Sequence, residues 1–363
     1  PAQNKSAGIN ISIWKDICTQ PHDSTQTTYV NIGLLSTMNR LNGVGINAVG
    51  SVVHGDMNGV QITGLANLAG GTMRGVQLAG ISNISGNNTV GLSAAGLVNI
   101  TGDRTQGVII SGLTSIGGDN TSGLMISGFM NVTGNMASGL HFSGAANITG
   151  QSFGGLMASG LLNVVGEHMN GLQMAGIANI TASKLNGVQI ALCNYATQAR
   201  GLQIGLVNYY KEDMKGFQLG LVNANPDTRV QMMVYGGNAT PANIGVRFKN
   251  QLFYTILGIG SMYQGLNDKF SASASYRAGL SFTLYKGLSI SGDLGYQHIE
   301  AFDNKDEVIP KRLYALQARA NLEYQFTRKF GIFATGGYGL TRFYNKSSNY
   351  DKGAIIEAGI VLF

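Results

Sequence analysis

Residues 59–74 read GVQITGLANLAGGTMR, and the leading glycine recurs at Gly75, Gly91, Gly107, Gly123, Gly139, Gly155, Gly171 and Gly187. The series starts at Gly43 and keeps a spacing of 16 residues without an insertion. A strict period means stacked, equivalent coils. Within each unit apolar residues alternate, with Val60, Val76 and Leu92 followed two positions later by Ile62, Leu78 and Ala94. Period two marks a strand. A second glycine (Gly64, Gly80, Gly96) sits at a corner, and the apolar residue after it opens a second short strand. A third (Gly70, Gly86, Gly102) opens a turn of variable polar content, such as Asn87-Asn88, Asp103-Arg104 and Glu167-His168. That edge is either a set of solvated turns or the contact face for a partner. After Gly187 the period shortens, at Gly201 and Gly216, and the last coils read as a cap leading into the next domain. Roughly a dozen coils would rise about 55 Å at one strand spacing each.

One polar position repeats as strictly as the glycines. Asn67, Asn83, Asn99, Asn131, Asn147, Asn163 and Asn179 fall in one column, with Ser115 as the substitution. Stacked amides can donate to one neighbouring coil and accept from the other, which predicts a structural ladder. The alternative is a row of exposed amides that binds glycan. Asn147-Ile-Thr also matches a glycosylation sequon, which the ladder explains without glycosylation.

Composition narrows the setting. The chain is 44% hydrophobic and 12% charged, about half the charge of an ordinary soluble protein, so much of its surface is not expected to face free water. No run of residues is long and apolar enough for a transmembrane helix, so any crossing must be a closed barrel. Pro1-Ala2-Gln3-Asn4 has neither a charged region nor an apolar stretch, and reads as a mature chain whose export signal is gone. Cys18 and Cys193 stand far apart with no metal-ligand spacing, which predicts two buried free thiols and no metal or other cofactor. The net charge of +6 is spread over residues such as Arg277, Lys311, Arg319 and Lys352 without an aromatic and basic cluster, which argues against nucleic acid.

From about Val230 the repeat gives way to long alternating strands. Phe270, Ala272, Ala274, Tyr276, Ala278 and Leu280 oppose Ser271, Ser273, Ser275 and Arg277, and the segment from Tyr314 alternates as cleanly. About eight strands are predicted, at 230–238, 243–251, 253–263, 270–285, 288–298, 312–326, 330–343 and 354–363. Tight and long connections alternate between them, as in a transmembrane β-barrel. Arg247, Lys249, Arg277, Asp293, Arg319 and Glu323 fall on the polar face and are expected to form an internal ion-pair network. Phe363 is the candidate assembly signal. Glu357 shares its parity, so a lipid-facing Phe363 would carry Glu357 to the lipid as well.

The expected fold is therefore all-β: a Gly-rich solenoid of 16-residue coils over 43–228, then a small antiparallel transmembrane barrel over 229–363. Residues 1–42, with INISIW (9–14) and TYVNIGLLS (28–36) around a polar stretch from His22, either cap the solenoid or add a barrel strand; capping is preferred. Coils of the GLQIGLVNYY type, together with GVRFKNQ, SGDLGY and the closing VLF, resemble the surface-repeat outer-membrane proteins of some Gram-negative groups. The resemblance implies location and architecture and brings no catalytic residue.

The leading functional expectation is a non-catalytic scaffold anchored in outer-membrane lipid, its solenoid docking a protein partner in an outer-membrane complex. A glycan-binding adhesin is the alternative, and a polysaccharide lyase or a small pore ranks lower. Solenoid charges such as Asp56, Arg74 and Glu167 are too scattered for a lyase, and Ser291 and His298, seven residues apart on one strand, cannot meet as nucleophile and base. An even strand count places the solenoid in the periplasm and one extra strand on the cell surface; both sides remain open at this stage.

Overall fold

The computed structural model describes residues 6–15, 17–19, 26–261, 270–302, 312–344 and 349–363. The polar stretch from His22 to Thr25 and Lys311 lie outside these. The chain forms two compact units: residues 1–205 with 210–217, and residues 206–209 with 218–363.

The first unit is a parallel β-solenoid. Between residues 57 and 175 each coil holds a strand of seven or eight residues and a strand of four, for example Met57–Thr63 and Ala66–Ala69, and the coils at either end run as continuous strands such as Arg40–Val53 and Ala178–Ile190. Equivalent residues pair in register with the next coil, Gly59 with Gly75 and Asn67 with Asn83. Glycine is required at the corners for two different reasons. Gly75 adopts φ +121°, a region that disfavours side chains. At Gly80 a Cβ would lie 2.0 Å from the carbonyl oxygen of Gly64 in the preceding coil. The N-terminal runs extend the same stack: Ser6–Trp14 pairs parallel with Thr27–Met38, which pairs parallel with Arg40–Val53.

The orientation of the strands is inverted relative to a soluble solenoid. The residues between the apolar positions point inward: Gln61, Thr63 and Asn67 are buried. Val60 and Ile62 point outward and are only half-buried, and Leu65 at the corner is 46% exposed. Apolar side chains enter the interior chiefly next to the polar turns, in clusters such as Met57, Ala69 and Met73, or Phe153, Val165 and Met169.

The second unit contains a closed antiparallel barrel of eight strands: β1 (Arg229–Gly237), β2 (Ala242–Asn250), β3 (Phe253–Ser261), β4 (Ser271–Tyr285), β5 (Leu288–Ala301), β6 (Arg312–Thr327), β7 (Phe330–Phe343) and β8 (Asn349–Leu362). β8 closes on β1 through pairs such as Tyr235 with Gly359. The last strand begins at Asn349, five residues before the expected 354, because Asn349 to Lys352 still find partners on β7. Two-residue turns at 251–252, 286–287 and 328–329 share one end with Arg229 and Phe363. Outward faces are apolar, with Leu294 72% and Leu316 51% exposed. Aromatic rings flank this band at both ends, Tyr324, Phe326 and Phe330 at the tight-turn end and Tyr296, Tyr314 and Tyr344 at the other. Such girdles mark the two interfaces of a membrane barrel.

Candidate functional site

The first candidate is the amide ladder inside the solenoid. Asn67 Nδ2 donates to Asn83 Oδ1 at 2.9 Å, and the link repeats from Asn83 to Asn99, Asn131 to Asn147, Asn147 to Asn163 and Asn163 to Asn179, all between 2.8 and 3.0 Å. It continues to Asn194, which the sequence reading did not include. Where Ser115 interrupts the column, hydroxyls carry the connection: Asn99 donates to Ser111, Ser111 meets Ser115 at 2.6 Å, Ser115 meets Ser127 at 2.9 Å, and Ser127 donates to Asn131 at 2.6 Å. The amides are at most 3% exposed, which removes the reading of an exposed glycan-binding row and buries the Asn147 sequon.

A second, interrupted ladder, also absent from the sequence reading, occupies the two ends of a neighbouring inner column: Gln77 donates to Gln61 at 2.9 Å at one end, and Gln189 to Gln173 at 2.8 Å and Gln203 to Gln189 at 2.9 Å at the other. Its signal was the glutamine inside GVQI and GLQI, the middle residue of an alternating strand. His141 occupies this inner column, packed edge-on against Phe153 at 4.9 Å. Burial pushes its pKa down to about 4.

Outside, the solenoid is divided lengthwise. One flank carries the columns headed by Val60, Ile62, Leu65, Ala66 and Leu68, and holds no Asp, Glu, Lys or Arg between residues 43 and 205. All eight such residues in that range, Asp56, Arg74, Asp103, Arg104, Asp119, Glu167, Lys184 and Arg200, stand on the opposite polar edge. On that edge Thr72, Arg74, Asn88, Asp103, Arg104 and Asp119 line a groove of about 510 Å³. The expectation of two buried thiols fails: Cys193 is exposed and Cys18 half-buried. Cys193 falls in the column of Ala66, which the coil geometry turns outward onto the flank.

The barrel lumen brings most of the expected ionic residues together. Arg247 holds Glu323 with bonds of 2.6 and 3.0 Å and also reaches Gln231. Arg277 holds Asp293 with two bonds of 2.8 Å, and Asn321 and Tyr254 complete the carboxylate's shell. Arg319 holds Glu357 with two bonds of 3.1 Å. Lys249 departs from the pattern: its Nζ donates to Ser281 at 3.0 Å. Glu357, whose parity suggested lipid, is 3% exposed inside the barrel. Phe363 does not share its face, because it lies beyond the end of β8 with φ +35° and its N–H donates to the Lys329 carbonyl at 2.7 Å. Arg277, Tyr254 and Ile256 are almost fully buried, so side chains fill the lumen at this level.

Ser291 is buried in the lumen, where it accepts from Asn321, whereas His298 faces outward and meets the Tyr344 hydroxyl at 2.9 Å. Opposite faces of one strand keep them apart. Among the described residues no group of three His, Cys, Asp or Glu side chains is placed to hold a metal ion.

The barrel unit also contains the last half-coil of the solenoid. The carbonyl of Gly220 accepts from the Tyr276 hydroxyl at 2.7 Å and that of Leu221 from Thr255 at 3.2 Å. Tyr276 and Thr255 both stand on the outward face of the barrel, alternating with the lumen residues Arg277 and Tyr254. Asn250 Nδ2, at the tight-turn end of β2, donates to the Asn223 carbonyl at 2.6 Å. The half-coil therefore lies against the outer wall, over β2 to β4.

No protein-family profile matches the chain, and no curated protein matches it. Among solved structures, the N-terminal β-barrel domain of Pseudomonas aeruginosa OprF is similar over 37% of this chain and 93% of its own length, at 15% identity and a TM-score of 0.28. Neisserial surface protein A (NspA) is similar over 37% of this chain and 92% of its own, at 9% identity and a TM-score of 0.23.

Proposed function

We propose that the chain is a non-catalytic protein of the outer membrane, anchored by its barrel, whose solenoid is a scaffold docking a protein partner along its polar edge. The observation that carries the proposal is the barrel itself: an apolar outer wall between two aromatic girdles, closed around a lumen filled by paired arginines and carboxylates. A plug of this kind stabilises an anchor and blocks a pore. Ser291 and His298 cannot act together, which supports the non-catalytic reading. Tight turns face the periplasm in barrels of this type. We therefore assign that side to Arg229 and to the segment that leads into it.

Docking through the polar edge follows from where the charge is. Lengthwise segregation leaves one face with the hydrogen-bonding variety that recognition needs. A glycan is the second reading, favoured by the polar lining of the groove at Arg74, Asn88, Asp103 and Asp119.

The test is the native mass of the full chain after gentle extraction from outer membranes. A defined complex that dissociates on Arg74→Glu with Arg104→Glu would support partner docking. A lone 38.2 kDa species would sink it, and glycan binding by the same groove would then be measured on an array.

A further inference from the structure

We infer that the apolar flank of the solenoid is a lipid-facing surface, seated in the bilayer hydrocarbon while the polar edge faces water; this rests on the reading of the chain as a membrane protein. The corner column of the flank is exposed in most coils, with Leu65 and Leu113 at 46%, Leu161 at 49% and Ile177 at 52%, and falls to 9% only where Ala145 stands; the columns beside it are mostly half-buried. Five uncharged columns over roughly a dozen coils far exceed the patch of a few hundred Å² that a water-facing monomer tolerates. The barrel wall is likewise apolar and exposed, and the flank stays uncharged in every coil even where Ser82, Thr114, Phe129 or Ala145 replaces the usual aliphatic residue, as a surface against a uniform solvent does. A protein partner would instead select a localised centre of aromatic and polar anchors.

The backbone is prepared for such a setting. In hydrocarbon every N–H and C=O must find a partner within the protein. Along the coil walls the parallel ladders supply them. At most corners the carbonyl of the strand's penultimate residue is taken by the buried amide column: Asn67 Nδ2 donates to Leu78 O at 2.8 Å, Asn131 to Phe142 O at 2.8 Å and Asn163 to Met174 O at 2.7 Å. The ladder thus keeps dry a corner that water would otherwise have to solvate.

A stack of about 55 Å is longer than the hydrocarbon layer of about 30 Å. The flank therefore meets lipid side-on, as an interfacial amphipathic element does.

Nitroxide labels would decide the matter in the full chain reconstituted into nanodiscs of phosphatidylethanolamine and phosphatidylglycerol. Cys193 reports on the flank in a Cys18→Ser background; Leu113→Cys adds a second flank site, Asn87→Cys an edge site and Leu294→Cys a barrel-wall site. Expected are preferential oxygen access at Cys193, Leu113→Cys and Leu294→Cys, and preferential access of a water-soluble nickel chelate at Asn87→Cys. Chelate access at both flank sites with oxygen access at the barrel wall would overturn the inference and leave the membrane reading standing. Shielding of the flank from both reagents would overturn it in favour of a covering protein or a second copy. Chelate access at the barrel-wall site would remove the membrane reading, and this inference with it.

Discussion

His141 stands in a column that from Gln61 to Gln203 otherwise holds only Gln, Met, Ser and Ile, inside the stack and against Phe153. Its pKa of about 4 means that the folded coil holds the imidazole neutral, whereas the unfolded chain protonates it near 6.5. Between those values the unfolded state binds more protons, so the stability present above pH 6.5 falls as the pH drops toward 4. The loss approaches roughly 3 kcal/mol. His141→Met, matching Met125 and Met157 in the same column, is expected to flatten this dependence; urea midpoints of solenoid unfolding between pH 7 and 4 would show it, and an unchanged slope would refute it. At this scale the sequence was legible where alternation held. Arg247, Arg277 and Arg319 could be set on one face from their neighbours alone. Glu357 could not, because the chain leaves the strand conformation at Phe363 and parity counted back from that residue misleads. The partners Gln231, Tyr254 and Asn321 were equally hidden, since they come from strands distant in sequence.

At the scale of the coil, glycine placement fixes the fold. A Cβ at Gly112 would lie 1.9 Å from the Gly96 carbonyl oxygen, a backbone atom held by the ladder on both sides. A Cβ at Gly154 meets nothing within 4 Å. Gly112→Ala is therefore expected to destabilise the solenoid by about 1–3 kcal/mol, as overpacking does. Gly154→Ala should be neutral or stabilising by up to about 1 kcal/mol through the unfolded chain. Protease resistance on heating compares the two, and equal effects would contradict the steric account. The 16-residue period and the barrel strands were readable because backbone demands recur in both. The direction of the coil's faces was not: alternation identifies two faces of a strand and leaves open which one is enclosed. The interior glutamines and asparagines settle it by bonding to one another, leaving valine and leucine outside. The exposed Cys193 follows from the same inversion.

At the scale of the whole solenoid, identical pairing between consecutive coils makes the stability a sum of nearest-neighbour terms. Removing one complete coil, residues 107–122, would bring Asn99 beside Asn131 and delete Ser111 and Ser115, the hydroxyls that bridge the gap between them. This deletion is expected to fold, with a thermal midpoint within a few degrees of the parent. Removing residues 107–114 alone would put strands beside corners, and should leave the solenoid protease-sensitive. If both deletions were equally damaging, the coils would not be interchangeable. The glycine column thus gives the protein a graduated length: it can grow or shrink only in whole steps of about 4.8 Å, each keeping the same side chains on the same face. Such a part can be lengthened or shortened without redesigning either end.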